Sequence, residues 1–359
     1  MRKSSFICNS KTYPTACLLV AAFVFIGVFY LLLLPSKTQD RIISQVHQGR
    51  GAFYVTNRIQ ELKDNKENFS RCVFILGDST IQNFEQELSE DNAAASLRNN
   101  SGIKFICLYR QAFTLVDYFF IANAIMPLKP KAIIVCINMA TFSPIYQNNP
   151  SYKFPEMISL CRPDLLESNI DTFSRFYGLP SKDIMGYVKN RSENRFYMLL
   201  MGTRKIIRDW ITENIEKKIL GRRTTEEMSN SGKQVSLFLT TYNPDRSSIT
   251  DDHPYFVLAK AMNDLCKAED QKLFFYITPF DVEFVKREGV YGEIGPAVEY
   301  IKNRFSKALG GDRGIVYDFH DKLSEYDIVD TPGHLKRSGR EKVYRFLAEI
   351  PSLNEPSQK

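Results

Sequence analysis

The stretch FILGDSTIQNF, residues 74–84, begins with an apolar run that stops at Gly-Asp-Ser-Thr, and Ser79 in this place could act as a nucleophile. Gly77 permits a tight turn at the end of a strand, and Ser79 would then begin the next helix. Its own N–H would point into a cleft at the sheet edge, as oxyanion donors do. The alternative interpretation is that Asp78 or Ser79 only caps that helix.

A serine nucleophile needs a base, and the chain has only four histidines. His47 lies in the N-terminal linker, His253 in a charged loop, and His320 directly after the last predicted strand. His334 follows that strand by a loop, so that it can return to the sheet edge that carries Ser79. We therefore predict that His334 is the base.

An acid that could orient this base is close to it in the sequence. Asp330 precedes His334 by four residues, and a Pro-Gly pair shapes the turn between them. A carboxylate so placed can accept a hydrogen bond from one imidazole nitrogen and fix the tautomer. A solvated loop is the alternative for this short pattern, and Asp327 is the second candidate for the acid.

Polar side chains also end two other predicted strands. Asn138 follows the third strand, where its amide could donate to a developing oxyanion; the alternative is a turn that merely ends the strand. Arg110 and Gln111 follow the second strand, where either could add a donor or hold an anionic substrate group. Arg110 is equally suited to packing or to pairing with an acid.

Short apolar runs alternate with helical patterns from residue 72 onward. Continuous runs of this length are typical of strands buried on both faces, and the alternation predicts an α/β fold with a parallel central sheet. Ligands of such sheets bind outside the carboxyl ends of the strands. The predicted strands are Cys72–Leu76, Ile103–Leu108, Ala132–Ile137, Leu273–Ile277 and Ile315–Tyr317, and the predicted helices are Phe113–Met126, Tyr255–Ala268, Ala297–Leu309 and Lys336–Ile350.

The remaining segments frame this domain, which we place at residues 71–350. Residues 35–70 predict a linker with a helix, and residues 351–359 a frayed tail. Residues 145–250 break the alternation and predict an inserted helical region over the carboxyl edge of the sheet, as a lid or a partner surface. Within the insertion, 196–220 predicts a helix with a basic face, for which a solvated surface is the alternative.

The segment Ala16–Leu34 contains 19 residues without a charge. At about 1.5 Å per residue it nearly spans a hydrocarbon core of ~30 Å. No small-residue cleavage pattern follows, so we predict a retained single-pass transmembrane anchor rather than a removed signal peptide. Because short basic N-termini usually stay in the cytoplasm, we expect residues 1–15 to be cytoplasmic and the domain to be extracytoplasmic, in a periplasm or at the cell surface.

The amino-acid composition argues against several classes of function. The 359 residues, 44% of them hydrophobic, suit one large domain. The net charge of +6 comes from basic residues spread among acidic ones, so we expect no nucleic-acid partner. The seven cysteines have the spacing of neither a zinc site nor a disulfide framework, and the histidines share no local ligand pattern. We therefore expect no metal and no cofactor.

Serine after the first strand, asparagine after the third and an Asp–His pair after the last form a pattern that resembles the SGNH (GDSL-type) hydrolase family. The resemblance covers roughly residues 70–145 and 270–350 and implies a three-layer α/β sandwich. It also implies that Ser79, through its N–H, and Asn138 form the oxyanion hole. The matching positions are Gly77-Asp78-Ser79 for the nucleophile block, Asn138 for the oxyanion block, and Asp330 with His334 for the closing block.

The sequence differs from the family pattern at two places. The family has its acid three residues before the histidine, whereas Asp330 precedes His334 by four. The second family block supplies a glycine whose N–H serves the oxyanion hole, whereas residues 109–112 contain none. The resemblance therefore implies that any donor from this block comes from Gln111 or Arg110.

A membrane helix followed by one such domain resembles the envelope proteins of polysaccharide O-acylation, such as the alginate O-acetylation proteins and the D-alanylation protein of teichoic acids. The resemblance implies acyl transfer through Ser79 to a polysaccharide hydroxyl, beside a multi-span membrane O-acyltransferase as partner. Two alternatives stay open. One is a membrane-tethered esterase that acts on carbohydrate or lipid, and the other is a non-catalytic scaffold that keeps the fold and binds a membrane partner or glycan.

Overall fold

The structure is a computed structural model, and it describes seven segments of the chain. All of the described residues belong to one compact unit. The segments are 52–65, 68–81, 103–148, 153–189, 249–310, 316–329 and 334–349.

The described residues contain five strands, all parallel, in one sheet. Each lies within one residue of its predicted bounds at both ends, so the prediction of a parallel α/β sheet is confirmed. The apolar runs located the strands because the sheet is covered on both faces. The strands are β1 Cys72–Gly77, β2 Lys104–Tyr109, β3 Ala132–Ile137, β4 Lys272–Ile277 and β5 Val316–Asp318.

The strand order β2-β1-β3-β4-β5 determines where a ligand can bind. Gly77 of β1 pairs with Tyr109 of β2 on one side, and Leu76 pairs with Val135 of β3 on the other. The chain thus leaves β1 in one direction and returns on its other side. Ligand crevices in open parallel sheets lie at this reversal, beyond the carboxyl ends of the strands, and Ser79 comes two residues after β1.

The described helices flank the sheet. The four predicted helices are confirmed, but one of them begins at Tyr291 instead of Ala297. Pro296, a residue type that is common at the first position of a helix, lies inside this one. The helices are α1 Ala52–Asp64, α2 Leu115–Ile125, α3 Pro144–Asn148, α4 Pro163–Ser168, α5 Ile170–Tyr177, α6 Ser181–Lys189, α7 Pro254–Ala268, α8 Val282–Arg287, α9 Tyr291–Ala308 and α10 Arg337–Glu349.

Two hydrophobic cores lie on the two faces of the sheet. Alternate strand residues point to opposite faces, so Phe74 of β1 belongs to the core that also contains residues of α1, α2, α7 and α9. Ile75 faces the other way and packs with Val343 and Leu347 of α10. Helix α2 is apolar almost all round, and all of its side chains are buried, as expected of a helix within a core. The result is a helix–sheet–helix arrangement of three layers.

The predicted insertion is described only in part. Helices α3 to α6 lie in its first half, and Phe173 of α5 packs against Phe119 and Phe120 of α2. The predicted basic helix at 196–220 and the predicted membrane span at 16–34 lie outside the described residues. Among the helices that are described, none has the combination of length and apolar character needed to cross a membrane.

Candidate active site

Ser79 and His334 meet at the carboxyl edge of the sheet. The Oγ of Ser79 lies 2.9 Å from the Nε2 of His334, although the two residues are 255 positions apart. Both side chains are partly exposed, so that a substrate can reach them. A serine hydroxyl at this distance from an imidazole nitrogen can transfer its proton directly.

Close packing at the end of β1 determines how the serine is presented. Gly77 has no positive φ, so it is required for space rather than for its backbone freedom. A Cβ at Gly77 would lie 2.7 Å from the Cδ1 of Ile81 and 3.3 Å from the Cβ of Cys136. Ser79 begins a short 3₁₀ turn that runs to Ile81. A side chain at position 77 would therefore push directly on the turn that carries the serine.

Asp78 joins this turn to the neighbouring strand. Its side chain is buried, with 2% exposed. Oδ1 accepts hydrogen bonds from the Thr80 N–H at 2.9 Å and the Thr80 hydroxyl at 2.7 Å. Oδ2 accepts a hydrogen bond from Nδ2 of Asn138 at 2.7 Å. Asp78 therefore caps the turn, as the alternative interpretation predicted, and also contacts the candidate oxyanion residue.

Asn138 is buried directly after β3. Its Oδ1 accepts the N–H of Ala140 at 3.0 Å, and its backbone carbonyl accepts the Thr141 hydroxyl at 2.7 Å. The strand-ending turn that we considered for Asn138 is thus present. Because the amide oxygen and one amide N–H are both bonded, the plane of the side chain is fixed.

The loop after β2 has a conformation that glycine normally adopts, although it contains no glycine. Ala112 has a φ of +66°, in the left-handed region that disfavours residues with a Cβ. The guanidinium of Arg110 lies 3.6 Å from the ring centroid of Phe154, so packing accounts for this side chain. Gln111 is exposed, and among the described residues its side chain has no hydrogen-bond partner.

A short antiparallel contact supports His334. Ile328 and Leu335 form a β-bridge, and the N–H of Val329 donates to the carbonyl of His334 at 2.7 Å. Helix α10 packs closely against the start of this segment, because a Cβ at Gly339 would overlap the carbonyl oxygen of Asp327. Contact with α10 therefore helps to position residues 327–329, and their bridge to residues 334–335 holds His334.

The carboxylate of Asp327 is hydrogen-bonded to Ser324 and Lys342. It accepts hydrogen bonds from the Ser324 N–H at 3.1 Å, the Ser324 hydroxyl at 2.9 Å and the Lys342 ammonium at 2.6 Å. Burial alone would raise the pKa of Asp327, but these hydrogen bonds outweigh it and lower the pKa to about 2. Asp330, our first candidate for the acid, lies outside the described residues.

The other described histidines have structural partners away from Ser79. The Nδ1 of His253 accepts the N–H of Tyr255 at 3.3 Å and caps α7. The Nδ1 of His320 lies 2.7 Å from the Oδ1 of Asp318, and its ring stacks on Phe280. Of the histidines that the structure describes, only His334 contacts the serine.

Cys136 is the other potential nucleophile near this edge, because it lies beside Gly77. Burial, and next the nearby carboxylate of Asp78, raise the pKa of its thiol. The thiolate, which is the reactive form of cysteine, is therefore disfavoured. Among the described residues, no group of three His, Cys, Asp or Glu side chains could hold a metal ion.

No protein-family model matches the chain, and no curated protein matches it either.

Proposed function

We propose that the protein is a serine-dependent acyltransferase of the SGNH type, which transfers acyl groups to hydroxyls of an envelope polysaccharide. The observation that carries this proposal is the distance of 2.9 Å between the Oγ of Ser79 and the Nε2 of His334. Its location supports the proposal, because the pair lies at the carboxyl end of β1, where the strand order reverses. Asn138, at the end of the adjacent strand, supplies an amide donor.

The reaction follows from the roles of these groups. The Nε2 of His334 takes the hydroxyl proton while the Oγ of Ser79 attacks the acyl carbonyl carbon. The resulting oxyanion is stabilised by the N–H of Ser79 and the amide of Asn138. Collapse of this intermediate expels the donor's oxygen, which takes the proton from His334, and leaves acyl-Ser79. An acceptor hydroxyl then repeats the sequence in reverse.

Transfer is preferred to hydrolysis because of the predicted membrane anchor at 16–34. An anchor would hold the domain extracytoplasmically, beside a membrane-supplied acyl donor, and a multi-span O-acyltransferase is the proposed partner. An esterase would use the same Ser79 and His334 and would differ in the acceptor, which would be water.

A non-catalytic scaffold is the second candidate, and the loop after β2 favours it. Residues 109–112 provide no glycine N–H, Gln111 makes no contact with Ser79 among the described hydrogen bonds, and Arg110 stacks on Phe154. In this reading the Ser79–His334 contact is kept for structure alone.

Labelling with a fluorophosphonate probe tests the proposal on the full-length protein. We expect one label, mapped by mass spectrometry to Ser79. The label should be absent in Ser79→Ala, and its rate in His334→Ala should fall by about 100-fold or more, since a general base contributes on this order. Ser174→Ala, at a partly exposed serine of α5, is the matched control and should label normally.

The outcome also separates the candidates. A folded protein that stays unlabelled both when purified and in its native membranes is the scaffold, and the proposal is then wrong. If Ser79 is labelled, product that forms only with a sugar acceptor identifies the transferase, and acid released without an acceptor identifies the esterase.

A further inference from the structure

We propose that Asp78 is a positioning residue, whose carboxylate holds the amide of Asn138 in register with the nucleophile Ser79. The inference rests on the proposed function, because it assigns Asn138 to the oxyanion hole. It gives Asp78, the residue directly before Ser79, a second role besides capping the turn.

The contacts of the carboxylate join two strands. Asp78 directly follows β1, and Asn138, 60 positions later, directly follows β3. The Oδ2 of Asp78 accepts a hydrogen bond from the Asn138 amide at 2.7 Å. Oδ1 accepts the N–H and the hydroxyl of Thr80, which is the residue after the nucleophile. One carboxylate therefore fixes both the turn that carries Ser79 and the side chain that the proposed function assigns to the oxyanion.

Burial strengthens this arrangement. Asp78 and Asn138 are 2% and 6% exposed, respectively, so water competes little for the hydrogen bond between them, and hydrogen bonds to a charged acceptor are the strong ones. The rate of a preorganised site depends on placing donors within about 0.5 Å of their working positions. Without the carboxylate, the Asn138 amide would keep only the Ala140 contact.

A carboxylate suits this position because all three of its partners are donors. The amide in Asp78→Asn offers one oxygen and one NH₂ group. Its oxygen is held by the two donors of Thr80, so its NH₂ group faces the Asn138 amide, and two donor groups meet there. The isosteric change therefore breaks the connection to Asn138 without changing the volume of the side chain.

A double-mutant cycle on the full-length protein tests this role. The rate of fluorophosphonate labelling at Ser79 is measured for the wild type, Asp78→Asn, Asn138→Ala and the double variant. We expect each single change to slow labelling by about 10- to 100-fold, on the order seen when one oxyanion donor is lost. Because Asp78 acts through Asn138, the double variant should be no more than about threefold slower than the slower single variant.

Two results of the cycle overturn the inference. One is a labelling rate for Asp78→Asn equal to that of the wild type. The other is a double variant whose loss is the product of the two single losses, since independent residues multiply their effects on a rate.

Thr80→Val is the matched control. It removes the other side-chain donor to the same carboxylate and leaves the Asn138 contact in place. We expect a lower Tm and a labelling rate within about threefold of the wild type. If Thr80→Val slows labelling as much as Asp78→Asn does, the carboxylate acts only through the turn, and the proposed role is wrong.

A second measurement keeps the inference testable if the proposed function fails. In protein labelled with ¹⁵N-asparagine, the side-chain signal of Asn138 is identified by its loss in Asn138→Ala. We expect one of its two amide protons to be shifted downfield and slow to exchange, in the wild type and in Thr80→Val, but not in Asp78→Asn. An unlabelled Ser79 with this signature overturns the acyltransferase alone, whereas an amide unaffected by Asp78→Asn overturns the positioning role.

Discussion

At the scale of single residues, the protonation state of the His334 imidazole determines which further group the proposed site needs. If the Nε2 of His334 accepts the Ser79 hydroxyl proton, the neutral ring carries its own proton on Nδ1. The acid that stabilises the imidazolium must then accept a hydrogen bond from Nδ1. Asp327 is close in sequence, but its carboxylate is bonded to Ser324 and Lys342.

Substitution of the two aspartates separates these roles. We expect Asp330→Asn to slow Ser79 labelling and ester turnover by about 10²- to 10⁴-fold, with little change in Tm. We expect Asp327→Asn to keep activity within a few-fold and to lower the free energy of unfolding by about 1–2 kcal/mol, because Lys342 and Ser324 lose a charged acceptor. Equal losses of activity, or losses in the reverse order, would show that Asp330 is not the acid.

At the scale of elements, helix α10 and the bridge between Ile328 and Leu335 together support His334. The backbone of Asp327 contacts Gly339 so closely that no Cβ fits between them, and the N–H of Lys336 donates to the Asp327 carbonyl at 2.8 Å. His334 lies along the chain between Asp327 and these two residues. A shift of α10 would therefore move the imidazole.

The variant Gly339→Ala tests this coupling. We expect it to destabilise the protein by about 1–3 kcal/mol through overpacking and to slow Ser79 labelling. Gly186→Ala is the matched control, because a Cβ at this helical glycine of α6 has nothing within 4 Å. It should stabilise the protein by about 0.5–1 kcal/mol and leave labelling unchanged. Labelling at the wild-type rate in Gly339→Ala would contradict the coupling.

Helix α7 contains a pH-sensitive cap. Burial lowers the pKa of His253 to about 4, and its neutral Nδ1 accepts the N–H of Tyr255. The unfolded chain has an ordinary histidine pKa near 6.5, so between about pH 6.5 and pH 4 the unfolded state binds more protons than the folded state. The stability that neutral His253 contributes is therefore fully present above about pH 6.5. It is lost as the pH falls towards 4, by up to about 3 kcal/mol.

The substitution His253→Asn isolates this contribution, because asparagine is a good N-cap and does not titrate. Urea unfolding is measured for both proteins at pH 7, 5.5 and 4.5. We expect the variant to be less stable at pH 7, since it loses ring contacts with Phe142 and Phe256, and we expect the difference to shrink as the pH falls. A difference that stays constant with pH would show that His253 does not titrate as we infer.

At the scale of the whole molecule, the features that depend on burial and chain direction were predictable from the sequence. Apolar runs located all five described strands, and parallel topology indicated that the residues after β1 and β5 return to one edge. Contacts that depend on side-chain conformation were not predictable. The bond from Asp78 to Asn138 needs two particular rotamers, and the stacking of Arg110 on Phe154 joins segments 44 positions apart with no local pattern.

The distance of 255 positions between Ser79 and His334 also has a consequence during synthesis. Ribosomes add about 5–20 residues per second, so the serine exists for roughly 10 to 50 s before the histidine has been made. If Ser79 is the nucleophile that we propose, its hydroxyl has no base throughout that interval, and the nascent chain cannot attack esters around it. A chain that stalls or is truncated before His334 would likewise be inert, so the proposed chemistry would begin only in molecules that have been translated and folded through the last helix.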